Sequence, residues 1–121
     1  MRTSISKLIV AAILGSFMIA GCSKNNGSSA PVVPPPSCSG TAYSYATDVK
    51  PIFISSCTIS GCHDASSVNS GGPFTTWSLV HAKASTISSQ VNAGIMPQTG
   101  SLTSDQKKKI ICWVEAGALN N

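Results

Sequence analysis

Cys57-Thr58-Ile59-Ser60-Gly61-Cys62-His63 is the stretch on which the reading of this chain turns. Two cysteines bracket four residues, and a histidine comes directly after the second cysteine. Cys38 and Cys112 lie on either side of it, so residues 38–121 hold four of the five cysteines. A segment of that length buries little apolar surface, and small domains of this kind usually add a disulfide, a metal or a cofactor to their core. Just upstream, the spacing predicts a helix running toward Ser56. Asp48 is the expected N-cap, and Pro51 falls in the first turn, where its missing N–H costs nothing. Val49, Ile52, Phe53 and Ser56 recur at steps of three and four and define one face.

Downstream, residues 64–73 read as a loop rich in Ser, Gly and Asn. Two weaker helices are expected around Thr75 to Ala82 and Ser85 to Asn92, with a loop from Gly94 to Ser101. The last helix carries the clearest signals. Thr103-Ser104-Asp105-Gln106 fits a capping box, and Ile110, Trp113, Val114 and Gly117 lie along one face, with Gly117 placed to end the helix. No stretch alternates as a strand would. The expected class is all-α.

The N-terminus reads as an export signal. Arg2 and Lys7 supply a positive start, and the apolar run from Leu8 to Ala20 is too short to cross a bilayer but suits a signal peptide. It ends in Ile19-Ala20-Gly21-Cys22, which resembles the lipobox of bacterial lipoproteins. That resemblance implies lipidation of Cys22 and removal of residues 1–21. Residues 22–37 contain Asn, Gly and Ser and then Pro31, Pro34, Pro35 and Pro36, a tether part flexible and part stiff. Residues 38–121 form the expected domain. The expected location is the cell envelope, with the domain anchored to a bacterial membrane and facing the periplasm or the cell surface. The formal charge is +4, from eight basic and four acidic residues; without Arg2 and Lys7 it is six minus four, or +2. Nothing in that balance points to nucleic acid.

A histidine directly after a cysteine, with a second cysteine shortly before, is the attachment pattern of c-type haem. The chemistry requires two sulfurs to reach the two vinyl groups on one porphyrin edge, and an imidazole to reach the iron from the adjacent residue. Cys57 and Cys62 are then the thioether cysteines and His63 the proximal iron ligand. The usual gap between the cysteines is two residues, and this chain has four, with Gly61 able to let the extra residues loop outward. On the motif alone, a Cys57–Cys62 disulfide beside a histidine is an equal alternative. Zinc is a third, with Cys57, Cys62 and His63 as three ligands, although neighbouring Cys and His crowd a tetrahedron and no fourth ligand stands out.

Four separated stretches resemble the small bacterial class I cytochromes c, including the domains carried on lipoproteins and on fused oxidoreductases. They are Val-Lys-Pro-Ile-Phe at 49–53, the cysteine–histidine motif, Gly-Ile-Met-Pro at 94–97, and the run from Leu102 to Ala118. The resemblance implies one covalent haem, a helical domain around it, and a last helix packed across the first. It also implies Met96 as the distal iron ligand, a soft thioether that raises the reduction potential relative to a second imidazole. His81, the only other histidine, is the competing candidate for that position. Trp77 and Trp113 read as packing residues, and Lys107 to Lys109 as a solvated helix face. With Cys57 and Cys62 on haem, Cys38 and Cys112 remain to pair, closing a loop of more than 70 residues. Loop entropy puts such a closure at about 4 kcal/mol.

The function implied is one-electron transfer between redox protein partners by a monomeric, membrane-anchored carrier that is not itself an enzyme. Two other readings stand beside it. One is a haem protein with an open distal position that binds a gas or peroxide. The other is a haem-free lipoprotein, stapled by two disulfides, that serves as an interaction module.

Overall fold

The computed structural model describes residues 34–69 and 71–121. Cys22 and the segment expected to be a signal peptide lie outside the described residues, as does most of the linker. The described residues are helical, without a strand. A π-helical turn at Tyr45–Val49 runs into α1 (Lys50–Ser56), and then come α2 (Trp77–His81), α3 (Ala84–Asn92) and α4 (Ser104–Glu115). None of these helices is long and apolar enough to cross a membrane.

The first helical unit starts earlier than Asp48. Ser44 is its N-cap, with its hydroxyl accepting from the Thr47 N–H at 3.4 Å. Asp48 instead reaches back, its carboxylate accepting from the Ser44 N–H at 3.1 Å. The reason for the π turn lies at Pro51. A proline ring inside a helix collides with the carbonyl four residues earlier. The wider turn, with Val49 N–H bonded to Ser44 O and Lys50 N–H to Tyr45 O, gives that ring room. Val49, Ile52 and Phe53 are buried, as their spacing predicts, and Ser56 is half-buried.

α4 forms with the expected capping box: Thr103 Oγ1 accepts from Gln106 N–H at 3.2 Å, and Gln106 Oε1 accepts from Thr103 N–H at 2.9 Å. It ends as a Schellman turn. Gly117 adopts a positive φ, its N–H bonds Val114 O, and Ala118 N–H bonds Trp113 O. The helix is buried more broadly than a single stripe, because Ile110, Ile111, Cys112 and Trp113 are all enclosed. It touches α3 on one side and the π turn on the other. Trp113 is fully buried and packs on Tyr45, with ring centroids 5.4 Å apart.

Three further ties fasten the two ends of the domain together. Cys38 and Cys112 form a disulfide with Cα atoms 5.2 Å apart. Asn121 accepts from Tyr45 N–H at 2.9 Å through its side chain, and its carbonyl accepts from Ala46 N–H at 2.9 Å and the Ser44 hydroxyl at 2.7 Å. The two indoles donate to the same tail, Trp113 to Leu119 O and Trp77 to Ala118 O. Lys109 is not simply solvated: it lies 3.3 Å from Asp105 and 3.7 Å from Asp48, bridging α4 to the π turn.

Replacing both Cys38 and Cys112 by alanine should lower the unfolding free energy by about 2–4 kcal/mol, as loss of a long covalent loop does. Urea unfolding of the double variant measures this, and an unchanged midpoint would refute the role given to the bond.

Candidate functional site

α1 ends at Ser56, and the chain then folds into a compact turn. Cys57 N–H and Thr58 N–H both bond Phe53 O, Cys62 N–H bonds Ile59 O, and His63 N–H returns to Cys57 O at 3.0 Å. Of the four residues between the cysteines, Ile59, Ser60 and Gly61 are exposed and Thr58 is half-buried. Gly61 takes φ +80° at the surface, with open space where a Cβ would stand. The result is that Cys57, Cys62 and His63 face one cleft.

The loop after His63 holds its imidazole on several sides. Nδ1 lies 2.8 Å from Gly72 O. A carbonyl only accepts, so Nδ1 is the donor of this bond, which leaves Nε2 as the nitrogen turned away from it. Phe74 stacks on the ring with centroids 4.1 Å apart. Gly71 passes so close that a Cβ there would sit 2.7 Å from His63 Cε1, which no side chain can tolerate without displacing the ring. The loop is in turn pinned by its own polar groups. Asp64 accepts from Gly61 N–H, Ser66 N–H and the Ser66 hydroxyl, and those bonds hold its carboxyl below its ordinary pKa. Ser67 and Asn69 both donate to Cys62 O.

Met96 reaches the same cleft from the far end of α3. That helix closes with a second Schellman turn: Gly94 has φ +70°, its N–H bonds Val91 O, and Ile95 N–H bonds Gln90 O at 3.0 Å. The reversal brings the next segment back, with Met96 N–H also on Gln90 O and the Met96–Pro97 peptide in the cis form. Met96 is half-buried there.

The cleft encloses about 580 Å³ and is partly open to solvent. Phe53, Phe74, Ile87, Val91 and Leu102 give it apolar walls, while Cys57, Cys62, His63 and Met96 bring two thiols, an imidazole and a thioether to it. Cys57 and Cys62 are free and half-buried, not joined to each other. Burial, and secondarily the neighbouring Cys62, pushes the Cys57 thiol from 9.0 up to about 11. Among the described residues, no three His, Cys, Asp or Glu side chains are grouped so as to hold a bare metal ion, so Cys57, Cys62 and His63 share a cleft without making the zinc site their types allow.

His81 is elsewhere. It is exposed on α2 with its ring 4.7 Å from that of Trp77, and it does not line the cleft. Neither tryptophan lines it either. Sequence reasoning passed over polar residues that do, namely Asn69, Lys83 just before α3, Thr86 and Gln90 on it, and Gln98 and Thr99 after Met96. Their spacing on α3 was visible, but not which side of that helix faces the cysteines.

This geometry has two measurable consequences. Gly94→Ala should destabilise the domain by about 1–2 kcal/mol, because the left-handed conformation then carries a Cβ, and urea unfolding measures the loss. In the haem-free polypeptide, the folded chain keeps the Cys57 proton that the unfolded chain releases between pH about 9 and about 11. Stability there falls as pH rises. The urea midpoint of the wild type should therefore drop more steeply across that window than that of Cys57→Ser; parallel curves would contradict the assignment. No protein-family model, no curated protein and no solved structure matches this chain.

Proposed function

We propose that this protein is a membrane-anchored mono-haem c-type cytochrome that carries single electrons between redox proteins outside the cytoplasm. The observation that carries the reading is the convergence of Cys57, Cys62, His63 and Met96 on one apolar-walled cleft. These residues come from two stretches of the chain separated by α2 and α3, and the chemistry of a covalent porphyrin uses all four. The donor set fits it. The two thiols are free, Nδ1 of the imidazole is engaged by Gly72 O so that Nε2 is the nitrogen left for a metal, and a thioether stands in the same space. Cys57 and Cys62 would each attach by addition without a leaving group, giving sulfur to one carbon of a vinyl C=C and the thiol hydrogen to the other.

When bound, haem supplies a reversible one-electron couple. The chain's own residues do the rest. Gly72 O, Phe74 and the close approach of Gly71 fix the proximal imidazole, and a carbonyl partner on Nδ1 raises the basicity of Nε2. Phe53, Ile87, Val91 and Leu102 would cover part of the group with apolar surface, which favours the less charged, reduced state. Met96 would supply the second ligand, and with both positions taken the group would serve as an electron carrier. The lipid anchor rests on the sequence around Cys22 alone.

The test is a pyridine haemochrome spectrum and intact mass of the full chain expressed with cytochrome c maturation machinery. One covalent haem is expected, lost in Cys57→Ala/Cys62→Ala. Met96→Ala should retain the haem, lose the Met–Fe charge-transfer band and show a lower midpoint potential. A colourless product with the apo-polypeptide mass removes the reading. A haem-loaded wild type whose spectrum does not respond to Met96→Ala would move it to the open-site class that binds gases or peroxide.

A further inference from the structure

The cleft has a second chemical character beyond its sulfur, imidazole and apolar walls. Lys83 stands immediately before α3, and Thr86 and Gln90 come at steps of three and four along the face that lines the cleft. Gln98 and Thr99 line it from the Met96 loop. No aspartate or glutamate is among the lining residues, and Lys83 is the only Lys or Arg there. Among the described residues both ion pairs are made by Lys109, so Lys83 has no acidic partner among them. Hydrogen-bond donors and an uncommitted cation border a space whose floor is apolar. That is the complement of a flat apolar ligand with anionic groups on its margin.

We propose that Lys83, with Thr86 and Gln90 beside it, forms the subsite for the carboxylates of the macrocycle, an inference that rests on the haem reading above. A carboxylate carried into an apolar cleft loses hydration and must be compensated by charge or hydrogen bonds. Lys83 is the one Lys or Arg on the cleft lining able to do so. Because its side chain is exposed to solvent, the pairing has the modest size of a surface ion pair, and it weakens with salt.

The experiment uses the full chain as Cys57→Ala/Cys62→Ala, so that binding is reversible, titrated separately with ferric haem and with haem dimethyl ester. Lys83→Met should weaken haem binding about three- to fivefold at low ionic strength and leave the ester unchanged. Lys83→Arg should restore most of the loss. Equal effects on acid and ester, or no effect on either, overturn the subsite while leaving the haem reading intact. Failure of both ligands to bind a chain that is folded by circular dichroism overturns the haem reading and the subsite with it. A second measurement does not depend on the double variant. In the covalently loaded protein, Lys83→Met should lower the midpoint potential, because a cation paired with the carboxylates offsets their negative charge and so favours the reduced state, and the difference should shrink as salt rises. A potential identical to the wild type at low salt also refutes the subsite.

Discussion

The contact between Tyr45 and Trp113 is the constraint on which the rest of this small domain depends. Trp113 is fully enclosed, and burial of an indole at such a position is worth about 3–5 kcal/mol against alanine. The pairing sets the π turn against the C-terminal part of α4, so the beginning and the end of the domain are joined there. Asp48 with Lys109, Cys38 with Cys112, and Asn121 with Tyr45 and Ala46 all fasten that same junction. α1 is therefore held at its N-terminal end, and its C-terminal end, where Cys57 emerges, has a defined place. α3 lies on the other side of α4 and supplies the opposite wall of the cleft.

Between those walls the chemistry-bearing groups are carried by turns, not by helix faces. Backbone hydrogen bonds place them, with Phe74 stacked on the imidazole and the Asp64, Ser67 and Asn69 side chains holding the loop. His63 is returned to Cys57 by a main-chain bond and oriented by another carbonyl, that of Gly72. Met96 is returned by the reversal at Gly94, which reuses Gln90 O twice. Glycine is required at both places for different reasons. At position 94 the backbone is left-handed, whereas at position 71 the ring of His63 occupies the volume a methyl group would need.

The helical class, the capping box at Thr103, the stop at Gly117 and the buried face of Val49, Ile52 and Phe53 were legible because each is a local signal. Capping and periodicity depend on residues within one or two turns. The start of the first helix was misplaced for the complementary reason. Ser44 wins over Asp48 because the turn begins at Tyr45, whose partners are Trp113 and Asn121, far along the chain. The broad burial of α4 escaped the pattern because neighbours cover two sides of it. In the cleft, the cysteine–histidine motif and Met96 were readable from residue type and spacing. The competing claim of His81 could be weighed only once α2 was seen to turn it toward Trp77. Lys83 gave no signal at all, since a lysine before a helix is ordinary until the helix has a defined azimuth.

The bridge between Cys38 and Cys112 has a topological effect separate from its thermodynamic one. All four groups that meet in the cleft, at positions 57, 62, 63 and 96, lie inside the covalent circle it closes. A single protease nick anywhere in that circle, including the glycine- and serine-rich stretch after His63, linearises it without shedding a fragment. Both pieces stay attached through sulfur, so a clipped molecule keeps every contributor to the site on one covalent body.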